Sequence, residues 1–135
     1  MNTNKILKIL LILGGIVEIA IGLLFFLLDL FFEQLGVQNI PIFTQMAGTF
    51  IFCYGILLIY SARDIKKYLI IPILNILIRI VMVIFSLINI IEYPQFFLIL
   101  LLAIPYDIVW SILMVIFLKK EGIIFKNFQI NIGGK

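Results

Sequence analysis

The sequence predicts an all-α integral membrane protein, a four-helix transmembrane bundle with both termini on the cytoplasmic side. Three observations predict it: four long apolar runs, short polar breaks between them, and basic residues that, Arg79 apart, lie only at the chain ends and in the middle break. Hydrophobic residues make up 64% of the 135-residue chain, and the mean hydropathy is +1.28. A soluble domain is usually about 45–50% apolar, and one domain of this length could not hide so much Ile, Leu and Phe from water. Residues 1–135 therefore read as a single transmembrane domain.

The first helix is predicted over about residues 6–28, long enough for a hydrocarbon core roughly 30 Å thick, which needs about 20 residues at 1.5 Å each. The run is longer than a signal-peptide core and lacks a small-x-small cleavage site before Asp29, so it reads as a retained helix. Asp29 to Ile42 is expected to be a loop, kept greasy by Leu30, Phe31 and Phe32 and resting on the membrane surface. The second helix is predicted over about residues 43–62, and Arg63-Asp64-Ile65-Lys66-Lys67 is the next turn. The third covers about 68–91, with Pro72 in its first turn, where the missing N–H matters little. After Glu92-Tyr93-Pro94-Gln95, the fourth covers about 96–118. Pro105 inside it should kink it. Residues 119–135 form a cytoplasmic tail. Strands are excluded, because apolar runs of roughly 20 residues are too long for them and do not alternate.

Orientation follows from lysine and arginine. Lys5 and Lys8 precede the first helix, Arg63, Lys66 and Lys67 lie between the second and third, and Lys119, Lys120, Lys126 and Lys135 follow the fourth. The breaks after the first and third helices carry no basic residue. This positive-inside pattern places both termini and the middle break in the cytoplasm, with the bacterial cytoplasmic membrane as the expected location. It also accounts for the net charge of +3 without nucleic acid, for which the chain has no basic face or motif.

Several chemistries are excluded. The chain has no histidine and a single cysteine, Cys53. Ser–His–Asp and Cys–His catalysis, His-ligated metals and paired-cysteine redox chemistry are therefore impossible. Cys53, inside an apolar run, reads as a small packing residue. No catalytic residue, metal site or cofactor is expected.

The candidate site lies in the apolar runs. Glu18, Arg79 and Asp107 each stand about eleven or twelve residues from one end of their helix, so all three fall near the bilayer midplane. Tyr54 falls there too. Each charge costs roughly 2.5–3.5 kcal/mol on insertion, which the surrounding apolar residues outweigh. The charges should face inward, with Arg79 between the two carboxylates. On the third helix Asn75, Arg79, Met82, Ser86 and Asn89 recur at helical spacing and form one face. Gly15, Glu18 and Gly22 share a face of the first helix, Gly48 and Gly55 a side of the second, and Asp107, Ser111 and Met114 a side of the fourth; the glycines permit close helix approach. The bland reading of the buried polar cluster Glu18, Arg79, Asp107, Tyr54 and Asn75 is a structural pin fixing helix register. The sharp one is a proton or ligand site, because one arginine cannot compensate two carboxylates. Arg63 and Asp64 form a motif at the cytoplasmic edge that reads as an interfacial anchor.

Ser61-Ala62-Arg63-Asp64 at the end of the second helix, Tyr68 opening the third, Arg79 within it and Asp107-x-x-Trp110 in the fourth together resemble the small bacterial DoxX-like four-helix membrane proteins. The resemblance covers most of the chain in outline. Relatives often carry a second aromatic after the tryptophan, where this chain has Ser111. The resemblance implies a four-helix membrane fold; many members have no assigned activity, and some are linked to redox or oxidative-stress complexes.

Function is expected to be that of an uncharacterised, non-enzymatic accessory or interaction protein in the lipid bilayer, as a homo-oligomer or beside another membrane protein. The alternative is a proton-coupled transporter of a small lipophilic solute. That reading draws on the size and first-helix glutamate of the small multidrug resistance family, whose surrounding residues this chain does not share. A membrane enzyme, dependent on carboxylates, Tyr54 or an added cofactor, ranks third.

Overall fold

The computed structural model describes residues 3–34 and 40–122, apart from the side chains of residues 28–33 and 95. Among the described residues there are four α-helices and no strand: α1 (Thr3–Gln34), α2 (Pro41–Ser61), α3 (Ile70–Glu92) and α4 (Phe97–Lys120). A 3-10 turn, Pro94–Phe96, leads into α4. Each helix contains a stretch long and apolar enough to cross a bilayer, of 25, 21, 23 and 24 residues in chain order. Only 17% to 22% of the apolar window in each stretch is buried within the chain, so lipid must solvate the rest. Phe50, Ile91 and Leu98 are the extreme cases, with most of their surface exposed. In water such a surface would aggregate; in a bilayer it is the ordinary exterior of a helix whose backbone is internally satisfied. The chain is an all-α membrane protein.

Helix ends follow local chemistry. α2 starts at Pro41 rather than Phe43, because proline suits the first helical position, where its missing N–H needs no partner. α3 starts at Ile70 rather than Tyr68, after a series of turns. α4 runs unbroken through Pro105 and carries Lys119 and Lys120 in its last turn, where positive charge opposes the helix dipole. It stops at Gly122, whose φ of +68° is left-handed and favours glycine, and whose N–H bonds the Lys119 carbonyl at 2.9 Å.

The largest departure is in α1. It was expected to end at Leu28 and give way to a loop, yet it continues to Gln34. No glycine or proline intervenes before Gly36, and Leu30, Phe31 and Phe32 continue the helix as readily as they line a loop. Its 32 residues extend about 48 Å, more than a hydrocarbon core of roughly 30 Å, so α1 projects beyond it. Residues 35–39 of the expected loop and residues 123–135 of the expected tail lie outside the described residues.

The chain divides into two compact units: Ile9–Ile65, and α3 with α4 together with the chain up to Lys8. In the first, α1 and α2 meet through glycine. A Cβ on Gly22 would stand 2.6 Å from the backbone nitrogen of Phe52 and 2.7 Å from the carbonyl oxygen of Gly48. One on Gly55 would stand 2.6 Å from the carbonyl oxygen of Gly15. Seven residues up α1 match seven down α2, so the helices are antiparallel with a heptad seam. Backbone against backbone brings them closer than the roughly 8–10 Å of ordinary helix pairs. In the second unit, α3 and α4 are joined by the 3-10 turn and pack through side chains.

Three polar side chains within the spans satisfy themselves on the backbone of their own helix, a solution that hydrocarbon favours. Thr49 Oγ1 donates to the Gln45 carbonyl at 2.8 Å, Ser61 Oγ to Leu58 at 2.7 Å and Asn89 Nδ2 to Phe85 at 2.7 Å.

Candidate functional site

The site is built on the facing sides of α3 and α4. Pro72, Asn75, Arg79 and Ser86 are the buried residues of α3, spaced so that they form one narrow stripe. Asp107, Ser111, Met114 and Leu118 are their counterparts on α4. Met82, expected on the α3 stripe, is 45% exposed. It stands about 60° around the helix from Arg79, at the stripe's margin, while Asn89 is half-buried.

Arg79 is the centre. Its side chain is 4% exposed and that of Asp107 12%, and the two form an ion pair with Nη1 2.5 Å from Oδ1. Nε donates to Asn75 Oδ1, one turn earlier on the same helix, at 3.1 Å. Nη2 reaches the Tyr106 hydroxyl at 3.5 Å, a long and weak bond. The guanidinium also lies over two rings, 4.8 Å from the centroid of Tyr106 and 5.4 Å from that of Trp110. Those rings, one turn apart on α4, are themselves 5.9 Å apart and tilted by 35°.

This arrangement answers the cost of an arginine in hydrocarbon in three ways. The carboxylate supplies the opposite charge, Asn75 takes a further N–H, and the rings offer their negative faces to a flat, delocalised cation. Arginine suits this better than lysine, whose compact ammonium has no fork or plane to match. Asn75 belongs to α3 and Asp107, Tyr106 and Trp110 to α4, so these contacts fix the register and rotation of that pair.

Of the residues expected at the site, Arg79, Asp107 and Asn75 are brought together. Glu18 and Tyr54 belong to the α1–α2 unit, each half-buried on its own helix. On the face of α1, Glu18 stands about one helical turn from both Gly15 and Gly22, the two glycines that touch α2. Arg63 and Asp64 are exposed just after α2. Arg63 lies 5.2 Å from the centroid of the Tyr60 ring. Lys67 over Tyr68 and Lys120 over Phe117, at 5.3 and 5.8 Å, repeat that arrangement at two further helix ends. Cys53, expected to pack, is exposed on α2.

Tyr106 was not anticipated, and Trp110 was noted only for its place in the Asp107-x-x-Trp110 motif. The available signal was their position: an aromatic beside Asp107 and another three residues on, in a helix opposite a lone arginine. No protein-family model, curated protein or solved structure matches this chain, and its function is therefore read from its own residues.

Proposed function

We propose that this is a non-enzymatic accessory or interaction protein of the bacterial cytoplasmic membrane, with both termini inside, in which Arg79 and Asp107 pin α3 to α4. The carrying observation is the enclosure of Arg79 by Asp107, Asn75, Tyr106 and Trp110. These four residues come from α3 and α4 themselves, which suits a structural role better than a site that must release a solute. Orientation rests on the basic residues at alternate breaks, and the anchoring of Arg63, Lys67 and Lys120 on aromatic rings accords with it. The DoxX-like resemblance is part of the same proposal, because its Arg79 and Asp107-x-x-Trp110 residues make up the network.

A second reading, proton-coupled transport of a small lipophilic solute, is favoured by one observation: Glu18 is a half-buried carboxylate within a spanning helix. Proteoliposomes with an imposed pH gradient and a panel of lipophilic cations separate the two. The accessory reading predicts no uptake above protein-free vesicles. Uptake that follows the gradient and disappears in Glu18→Gln would replace it with the transport reading.

A further inference from the structure

The end of the α3–α4 unit opposite the 3-10 turn carries an excess of positive charge. α3 and α4 have 23 and 24 residues and are joined by the turn Pro94–Phe96, so as packed antiparallel helices they finish level at the other end. There Lys66 and Lys67 lie in the turns that lead into α3, and Lys119 and Lys120 close α4. The chain up to Lys8 belongs to the same compact unit and adds Lys5 and Lys8, one turn apart on α1. Two crossings separate the chain start from the middle break, and two more separate that break from the end of α4, so all six lysines lie on one side of the bilayer. The acids near them in the chain are Asp64 and Glu121 alone.

Three features distinguish this end from a scatter of surface charge. Lys8 is half-buried in the second turn of α1, and among the described residues neither it nor Lys5 nor Lys66 has an ion-pair partner. A partly buried ammonium without a counter-charge is costly and calls for an anion. Lys67 and Lys120 lie over the rings of Tyr68 and Phe117, amphipathic pairings that sit at the level of lipid headgroups. Just inside the lysines the helices turn apolar, and Ile70 and Ile116 stand exposed. A ligand that matches this end is therefore anionic at its head and apolar below it, which a soluble anion is not.

We propose that this end of the unit binds the phosphodiester headgroup of an anionic phospholipid, with the acyl chains lying along α3 and α4. Lys8 and Lys66, which have no carboxylate of their own, donate to the phosphate oxygens in charge-assisted hydrogen bonds, and Lys119 adds positive charge beside them. A zwitterionic lipid brings its own ammonium, which the surplus lysines repel, so charge selects the anionic headgroup. Each lysine near such a headgroup contributes about fivefold in affinity. The site goes beyond the accessory reading, and it holds whichever leaflet lies at this end.

Native mass spectrometry of the full chain, released from maltoside micelles, tests this by counting bound lipids. The probes are phosphatidylglycerol and phosphatidylcholine with identical palmitoyl and oleoyl chains. The first phosphatidylglycerol is expected to bind about tenfold more tightly than the first phosphatidylcholine, and more tightly than a second phosphatidylglycerol. Lys8→Gln should weaken that first step about fivefold. Lys66→Gln combined with Lys119→Gln should weaken it further, and because both side chains are exposed the melting temperature should not move. If Lys8→Gln itself melts early, the double variant decides, and a tenfold preference that survives it overturns the proposal. Lys135→Gln removes the same charge outside the described residues and should change nothing. A loss there as large as that from Lys8→Gln would mean diffuse attraction and overturn the site, as would equal affinity for the two lipids. Displacement of the lipid by glycerophosphoglycerol, the same headgroup without chains, at matching concentration would mean a soluble phosphodiester instead. The accessory reading fails on different evidence, pH-driven uptake dependent on Glu18.

Discussion

The α1–α2 pair and the α3–α4 pair hold together by opposite means. In the first, glycines at two levels let one backbone rest on the other. In the second, a charged side chain crosses the seam and is met by an acid, an amide and two rings. Lipid tails are as apolar as leucine, so neither pair gains from the hydrophobic effect on associating; van der Waals fit and interhelical polar contacts remain. Each unit relies chiefly on one of them. The glycine seam is intolerant of added volume and indifferent to charge. The arginine seam is intolerant of losing a charge, and less sensitive to small changes of volume.

Substitutions can break or sharpen that contrast. The largest effect is expected from Arg79→Met, which leaves Asp107 buried without its counter-charge. Removing one partner of a buried pair typically costs about 3–5 kcal/mol, readable as a lowered midpoint of detergent-induced unfolding. Gly22→Ala or Gly55→Ala comes next. The new methyl would meet backbone atoms at 2.6 to 2.9 Å, so the helices must part, at about 1–3 kcal/mol for overpacking. Changing ionic conditions should leave that loss unaltered. If either alanine is tolerated without loss, the close glycine seam is wrong. The smallest effect is expected from Trp110→Leu, which keeps bulk but removes one ring face from Arg79. About 0.5–2 kcal/mol is the range for such cation–π contacts, and thermal melting in detergent followed by circular dichroism reads it.

Much of this architecture was legible in the sequence, for reasons that can be named. Helix number and approximate ends follow from apolar run length and the polar breaks. The overrun of α1 past Leu28 did not, because apolar residues next to a membrane surface satisfy a loop and a helix equally well. The glycine faces were legible, but the pairing of Gly15 with Gly55 and Gly22 with Gly48 was not, because equal seven-residue spacing on two helices fits either alignment. The Arg79–Asp107 pair was legible from depth along the helices. Depth is an axial coordinate, however, and says nothing about which helix is whose neighbour. Depth is therefore the whole basis for grouping Glu18 and Tyr54 with Arg79; the two stand on the helices of the α1–α2 unit. Tyr106 was hidden because an aromatic inside an apolar run looks like filler until a cation is known to face it.

The central claim is that Arg79 and Asp107 act as one unit across the α3–α4 seam. A double-mutant cycle with Arg79→Met and Asp107→Leu, followed by reversible unfolding in mixed micelles, tests it most directly. The account predicts strong coupling: the double variant should recover at least about 1.5 kcal/mol relative to the sum of the single losses. Losses that simply add, to within about 0.5 kcal/mol, would contradict it.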